Sequence, residues 1–94
     1  MNIRVTLFED NKNLRDSLFQ LIDGSSGFKC VGAFPNCNEL MDDIQKSKPD
    51  VVLMDIEMPG MSGIDAVLVI KENFPEVKIL METIFEEDEK VFAS

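Results

Sequence analysis

The sequence predicts an α/β protein: a doubly wound parallel sheet of four strands with helices on both faces. Three observations predict it. Short β-branched, apolar runs recur at Ile3–Phe8, Phe28–Phe34, Val51–Met54 and Val77–Met81, amphipathic stretches with helical spacing fill the intervals between them, and turn-forming residues mark nearly every junction. Strict alternation of strand and helix requires each strand to return parallel to the last, which leaves crossover helices covering the sheet.

The first strand, Ile3–Phe8, ends abruptly in Glu9-Asp10-Asn11. Leu14, Leu18, Leu21 and Ile22 repeat at i, i+4, i+7 and i+8, the apolar stripe of a first helix that Gly24 stops. After Ser25-Ser26-Gly27 the second strand runs Phe28–Phe34, and Asn36 followed by Glu39 predicts the start of a second helix through Cys37, Leu40, Met41 and Ile44. Pro49 ends that helix. Val51-Val52-Leu53-Met54, an unbroken apolar run suited to a strand buried on both faces, leads onto Asp55. The turn-rich MPGMSG follows, then a third helix marked by Ile64, Val67 and Ile70 and closed by Pro75. The fourth strand, Val77–Met81, is followed by Glu82 and Thr83, and the acidic run Glu86–Glu89 suits the first turn of a fourth helix.

No linker, repeat or low-complexity tract interrupts the 94 residues, which read as one domain, 1–94. At 45% apolar and 29% charged, the composition is that of a globular protein, and no apolar run approaches the roughly 20 residues of a membrane span. The opening MNIRVTLFED has the features of neither a signal nor a transit peptide, so a cytoplasmic location is expected. Cys30 and Cys37, without any histidine, exclude the common zinc motifs and are expected to be free thiols. A net charge of -9 argues against nucleic-acid binding by this segment and favours cations and basic partners.

In open parallel sheets the ligand lies beyond the carboxyl ends of the strands, where strand order reverses. With strand order 2-1-3-4, Glu9, Asp10, Asp55 and Thr83 meet at that edge. Carboxylates so crowded repel one another and hold their protons more tightly, and a hard divalent cation relieves the repulsion. Oxygen-only ligands suit Mg²⁺. A cation beside an ionised carboxylate is also what phosphoryl transfer requires.

These residues resemble the response-regulator receiver domains of two-component signalling. VVLMDIEMPGMSG, with Asp55 at a strand tip, Pro59 four residues on and Gly63 eight residues on, is similar to their phosphoacceptor loop; Glu9-Asp10 resembles their paired acids, and KILMET their switch hydroxyl. The region FPEVKILMETIFEEDEKVFAS looks like the subgroup that carries a C-terminal LuxR-type helix-turn-helix. The resemblance implies a flavodoxin-like fold that lacks its fifth strand and fifth helix, with no output domain in this segment. It implies that Asp55 takes a phosphoryl group from a sensor histidine kinase. Asp10 and Asp55 would ligate Mg²⁺ directly, Glu9 through water and Glu57 through its backbone carbonyl. Thr83 would act as the switch, while Pro59 and Gly63 shape the loop. Such a chain is a phosphoacceptor and signalling switch rather than an enzyme.

The sequence departs from the family pattern in three places. The fifth-strand Lys that pairs with the phosphoryl group has no counterpart, which leaves open a receiver-like interaction module that is not phosphorylated. Glu82 stands where an apolar residue is usual, at a desolvation cost unless paired. Leu68 and Val69 are apolar where related helices show charge, and read as a helix flank or a partner surface. A haloacid-dehalogenase-like Mg²⁺ phosphatase also places a nucleophilic Asp at a strand tip and a second acid two residues later, as in Asp55-Ile56-Glu57, yet leaves Glu9 and Asp10 unexplained. Finally, an uncovered fourth strand predicts a homodimer or larger assembly through the fourth strand and fourth helix, since even ~500 Å² of exposed apolar area would cost about 12 kcal/mol.

Overall fold

The computed structural model describes residues 2–82. Its elements run β1 (Ile3–Phe8), α1 (Lys12–Asp23), β2 (Phe28–Phe34), α2 (Leu40–Ser47), β3 (Val51–Asp55), α3 (Gly63–Asn73) and β4 (Lys78–Glu82). All strand pairs are parallel, in the order β2-β1-β3-β4, the doubly wound arrangement the alternation predicts. Thr83 and the expected fourth helix lie outside the described residues.

Local chemistry sets the helix limits. Asn11 Oδ1 accepts from Leu14 N at 3.0 Å to start α1, and the Gly24 amide returns to Gln20 to end it. Ser62 Oγ accepts from Asp65 N at 3.2 Å to start α3. The expected start of α2 at Asn36 is corrected: Asn36 Oδ1 instead accepts from Asn38 N at 3.0 Å, a local turn that competes with helix, and α2 begins only at Leu40 with no side-chain cap from Glu39. The strand expected at Val77–Met81 is shifted by one residue, because Val77 N bonds Phe74 O in a turn while Glu82 pairs with Asp55.

The two sheet faces are covered unequally. On one, Phe8, Val52 and Met54 are buried beneath Leu40 and Ile44 of α2 and Ala66 and Ile70 of α3. Each of these side chains larger than Ala66 contributes about 1.5–3 kcal/mol. Thr6 lies among them without penalty, since its hydroxyl donates to Ser47 Oγ at 2.8 Å, which in turn donates to Asp43 O at 2.7 Å. The opposite face rests on α1, and an apolar cavity of about 230 Å³ lined by Val5, Ile22, Val51, Leu53 and Leu80 lies beside it. Arg4 ties the far end of the sheet to the C-terminus of α2, donating to Ser47 O at 2.7 Å and Lys48 O at 2.9 Å.

Candidate functional site

The first acid follows directly from strand pairing. Phe8 lies opposite Met54 in the β1–β3 register, so the next residues along, Glu9 and Asp55, emerge side by side at the carboxyl edge. The backbone of Glu9 continues the β1–β2 ladder, with its amide on Phe34 O at 2.9 Å. One carboxylate oxygen each from Glu9, Asp10 and Asp55 falls within a mutual 4.8 Å. Glu9 and Asp55 are buried, at 3% and 7% exposure, whereas Asp10 faces solvent. Together with Asn11, Leu14 and Glu57 they line a cleft of about 240 Å³.

Hydrogen bonds orient the buried pair. Asn11 N donates to Glu9 Oε2 at 2.9 Å, and Glu57 N donates to Asp55 Oδ1 at 3.1 Å. Arg15, a first-helix residue that sequence reading passed over, donates from Nη1 to Glu9 O at 2.9 Å and to Asp10 O at 3.4 Å, gripping the acidic turn from behind. A basic residue one turn into the helix after paired acids was the only signal available for it.

Burial pushes the Glu9 carboxyl up to about 7, against the lowering hydrogen bond from Asn11, with neighbouring Glu82 and Asp10 adding to the rise. Burial likewise raises Asp55 to about 7, opposed by the Glu57 amide and reinforced by Glu9 and Asp10. Both shifts are led by burial, and the neighbouring acids reinforce them. The donor set is oxygen only, so a hard divalent cation fits it.

The loop between β3 and α3 packs closely at Gly63. Its amide donates to Ile56 O at 3.0 Å, and a Cβ there would run into the Asp55 carbonyl oxygen and come within 2.8 Å of Ile56 Cα. Pro59 sits exposed in the bend, next to Gly60 at φ 82°, which carries the reversal. Glu57 contributes its amide to Asp55 and lines the cleft. Glu82 joins the group from β4: it lies opposite Asp55 in register, its backbone oxygen accepts from Ile56 N at 3.0 Å, and both its carboxylate oxygens are buried with no hydrogen-bond partner among the described residues.

A parallel sheet ordered 2-1-3-4, with acids from two adjacent strand ends at the switch point, defines a class of α/β proteins that place ligands at this edge. The chain belongs to the response regulator receiver domain family, whose profile matches residues 5–94. It is 33% identical over 92 residues to the response regulator protein VraR of Staphylococcus aureus, covering 98% of this chain and 44% of that protein. Among solved structures, the response regulator domain of Thermotoga maritima CheB superposes with a TM-score of 0.81 at 34% identity, covering 88% of this chain and 61% of that one. A DNA-binding response regulator of the LuxR family from Staphylococcus aureus gives 0.80 at 30% identity, covering 97% and 78%. The chain spans less than half the length of the curated relatives it matches, 40% of GacA from Pseudomonas viridiflava and 44% of VraR.

Proposed function

We propose that this chain is a phosphoacceptor module of two-component signalling, with Asp55 as the residue phosphorylated by a sensor histidine kinase. The observation that carries the reading is the convergence of Glu9, Asp10 and Asp55 oxygens within 4.8 Å at the switch point of a receiver fold. Glu9, Asp10 and Asp55, with the Glu57 carbonyl, would hold Mg²⁺, which when bound neutralises charge on the incoming phosphoryl group. The chain's own contribution is positional. The Glu57 amide fixes Asp55 Oδ1, which leaves Oδ2 to attack phosphorus. The new bond is Oδ2–P, the broken bond is P–N of the kinase phosphohistidine, and the electron pair stays on that nitrogen, so that a phosphoimidazolium protonated on its other nitrogen leaves as neutral imidazole. Arg15 holds the Glu9–Asp10 turn in place during transfer. Thr83 then reports occupancy, in a protein that acts in the cytoplasm and reaches DNA only through a LuxR-type output domain.

Among the described residues no helix is long and apolar enough to cross a membrane. Pro59 and Gly63 serve the site by holding the loop, with no chemistry of their own. The test is stoichiometry with acetyl phosphate and Mg²⁺. A receiver takes up one phosphoryl group per chain and holds it, and continuous release of phosphate from small esters would indicate a phosphatase instead.

A further inference from the structure

We propose that Glu82 is a specificity-determining residue of this site: a fourth carboxylate, outside the cation-ligating trio, that strengthens the site's hold on a divalent cation. The inference rests on the cation-binding reading of Glu9, Asp10 and Asp55 given above. Three observations converge on Glu82. It is the register partner of Asp55, so adjacent strands deliver both side chains to the same face of the sheet at the same edge. Both its oxygens are buried, and neither has a hydrogen-bond partner among the described residues. Its surroundings on that edge are acidic: Asp55 lies opposite it in register, and Glu9 and Asp10 bring carboxylate oxygens within 4.8 Å of that of Asp55.

A buried carboxylate without partner costs free energy that an apolar residue at the same place would not. Among the described residues no basic side chain bonds Glu82, and the counter-charge that the geometry offers is a cation seated among Glu9, Asp10 and Asp55. Arg15, which reaches the backbone of that trio, spends its Nη1 on the carbonyls of Glu9 and Asp10. Glu82 therefore makes the empty site less stable and the loaded site more favourable, and both effects appear as tighter cation binding. Even at the permittivity of bulk water, a unit charge about 6 Å from a divalent ion changes affinity about tenfold. Glu82 does not replace a ligand; its oxygens lie outside the group that meets within 4.8 Å.

The experiment is calorimetric titration of the chain with MgCl₂ at pH 8 in low salt, comparing wild type with Glu82→Gln, Glu82→Val and Glu76→Gln. Glu76 is an exposed acid at the opposite end of the sheet, so its variant controls for net charge. Glu82→Gln and Glu82→Val should each weaken Mg²⁺ binding by about fivefold to tenfold and raise the melting temperature of the cation-free chain, while Glu76→Gln changes neither. If Glu82→Gln melts higher yet binds Mg²⁺ as wild type does, Glu82 is only a packing defect and the inference fails. If wild type itself binds no Mg²⁺, the cation-binding reading fails and takes the inference with it.

Discussion

Asp55→Asn removes one charge from the acidic group while keeping its shape. Asn Oδ1 can still accept from the Glu57 amide, and the β3–β4 pairing at this position involves backbone only. The charge removed lies within 4.8 Å of oxygens from both Glu9 and Asp10. At that separation one pair of unit charges repels by about 1 kcal/mol in water and about 3.5 kcal/mol at the permittivity of a protein surface. Because Asp10 is solvent-exposed and its share is screened, we expect about 2 kcal/mol of added stability in the cation-free variant at pH 8. For a domain of this size that is about 10 °C in Tm. The gain should depend on pH. Glu9 and Asp55 titrate near 7 when folded and near the ordinary carboxyl range when unfolded, so the folded wild type keeps protons that the unfolded chain has released. Wild-type stability then falls as pH rises from about 4 to 7 and levels above that, and the advantage of Asp55→Asn shrinks toward pH 5. Saturating Mg²⁺ should reverse the order, since a cation at a hundred times its Kd stabilises the wild type by about 2.7 kcal/mol and the variant lacks a ligand. Thermal melts by circular dichroism, with EDTA or MgCl₂, measure all of this. A variant less stable than wild type at pH 8 without cation would refute the electrostatic reasoning.

Other consequences follow from the same geometry. Asp10→Asn should weaken Mg²⁺ binding more than Glu9→Gln in a calorimetric titration, because a direct ligand loses more than one acting through water. Gly63→Ala should cost about 2–4 kcal/mol in urea unfolding, since its Cβ would meet the Asp55 and Ile56 backbone rather than a movable side chain. The chain should self-associate along β4, where Met81 is exposed beside Ile64 and Leu68 of α3 and Leu80 is exposed on the opposite sheet face. Light scattering should show a mass that drops to the monomer's in Leu80→Lys, and a wild-type monomer at high micromolar concentration would contradict the assembly.

Much of the fold was legible because its strands are written twice, once as β-branched apolar runs and once as the turn residues that bound them. The limits Ile3–Phe8 and Phe28–Phe34 were readable on that basis to the residue. Two boundaries were not. Asn36 carries a helix-start signal, but its side chain serves the nearer amide of Asn38, and local hydrogen bonds of this kind do not show in apolar spacing. The end of β4 is set by its neighbour, as Glu82 joins the sheet through Asp55 and Ile56 against its own low strand preference. At the site, the meeting of Glu9, Asp10 and Asp55 followed from strand order alone. Arg15 did not, because periodicity does not reveal which carbonyl a long side chain will reach. Glu82 was visible as an anomaly, while the full burial of its two oxygens emerged only once β4 was placed against β3.

The most direct measurement is to locate the phosphoryl group. The chain, incubated with acetyl phosphate and Mg²⁺, is examined by intact mass and then by peptide mapping after reduction of the acyl phosphate with borohydride. We expect one hydroxylamine-labile phosphoryl group per chain, on Asp55, lost in Asp55→Asn and when EDTA removes the cation. Equal labelling of Asp55→Asn, or a modified residue other than Asp55, would contradict the assignment of the phosphoacceptor.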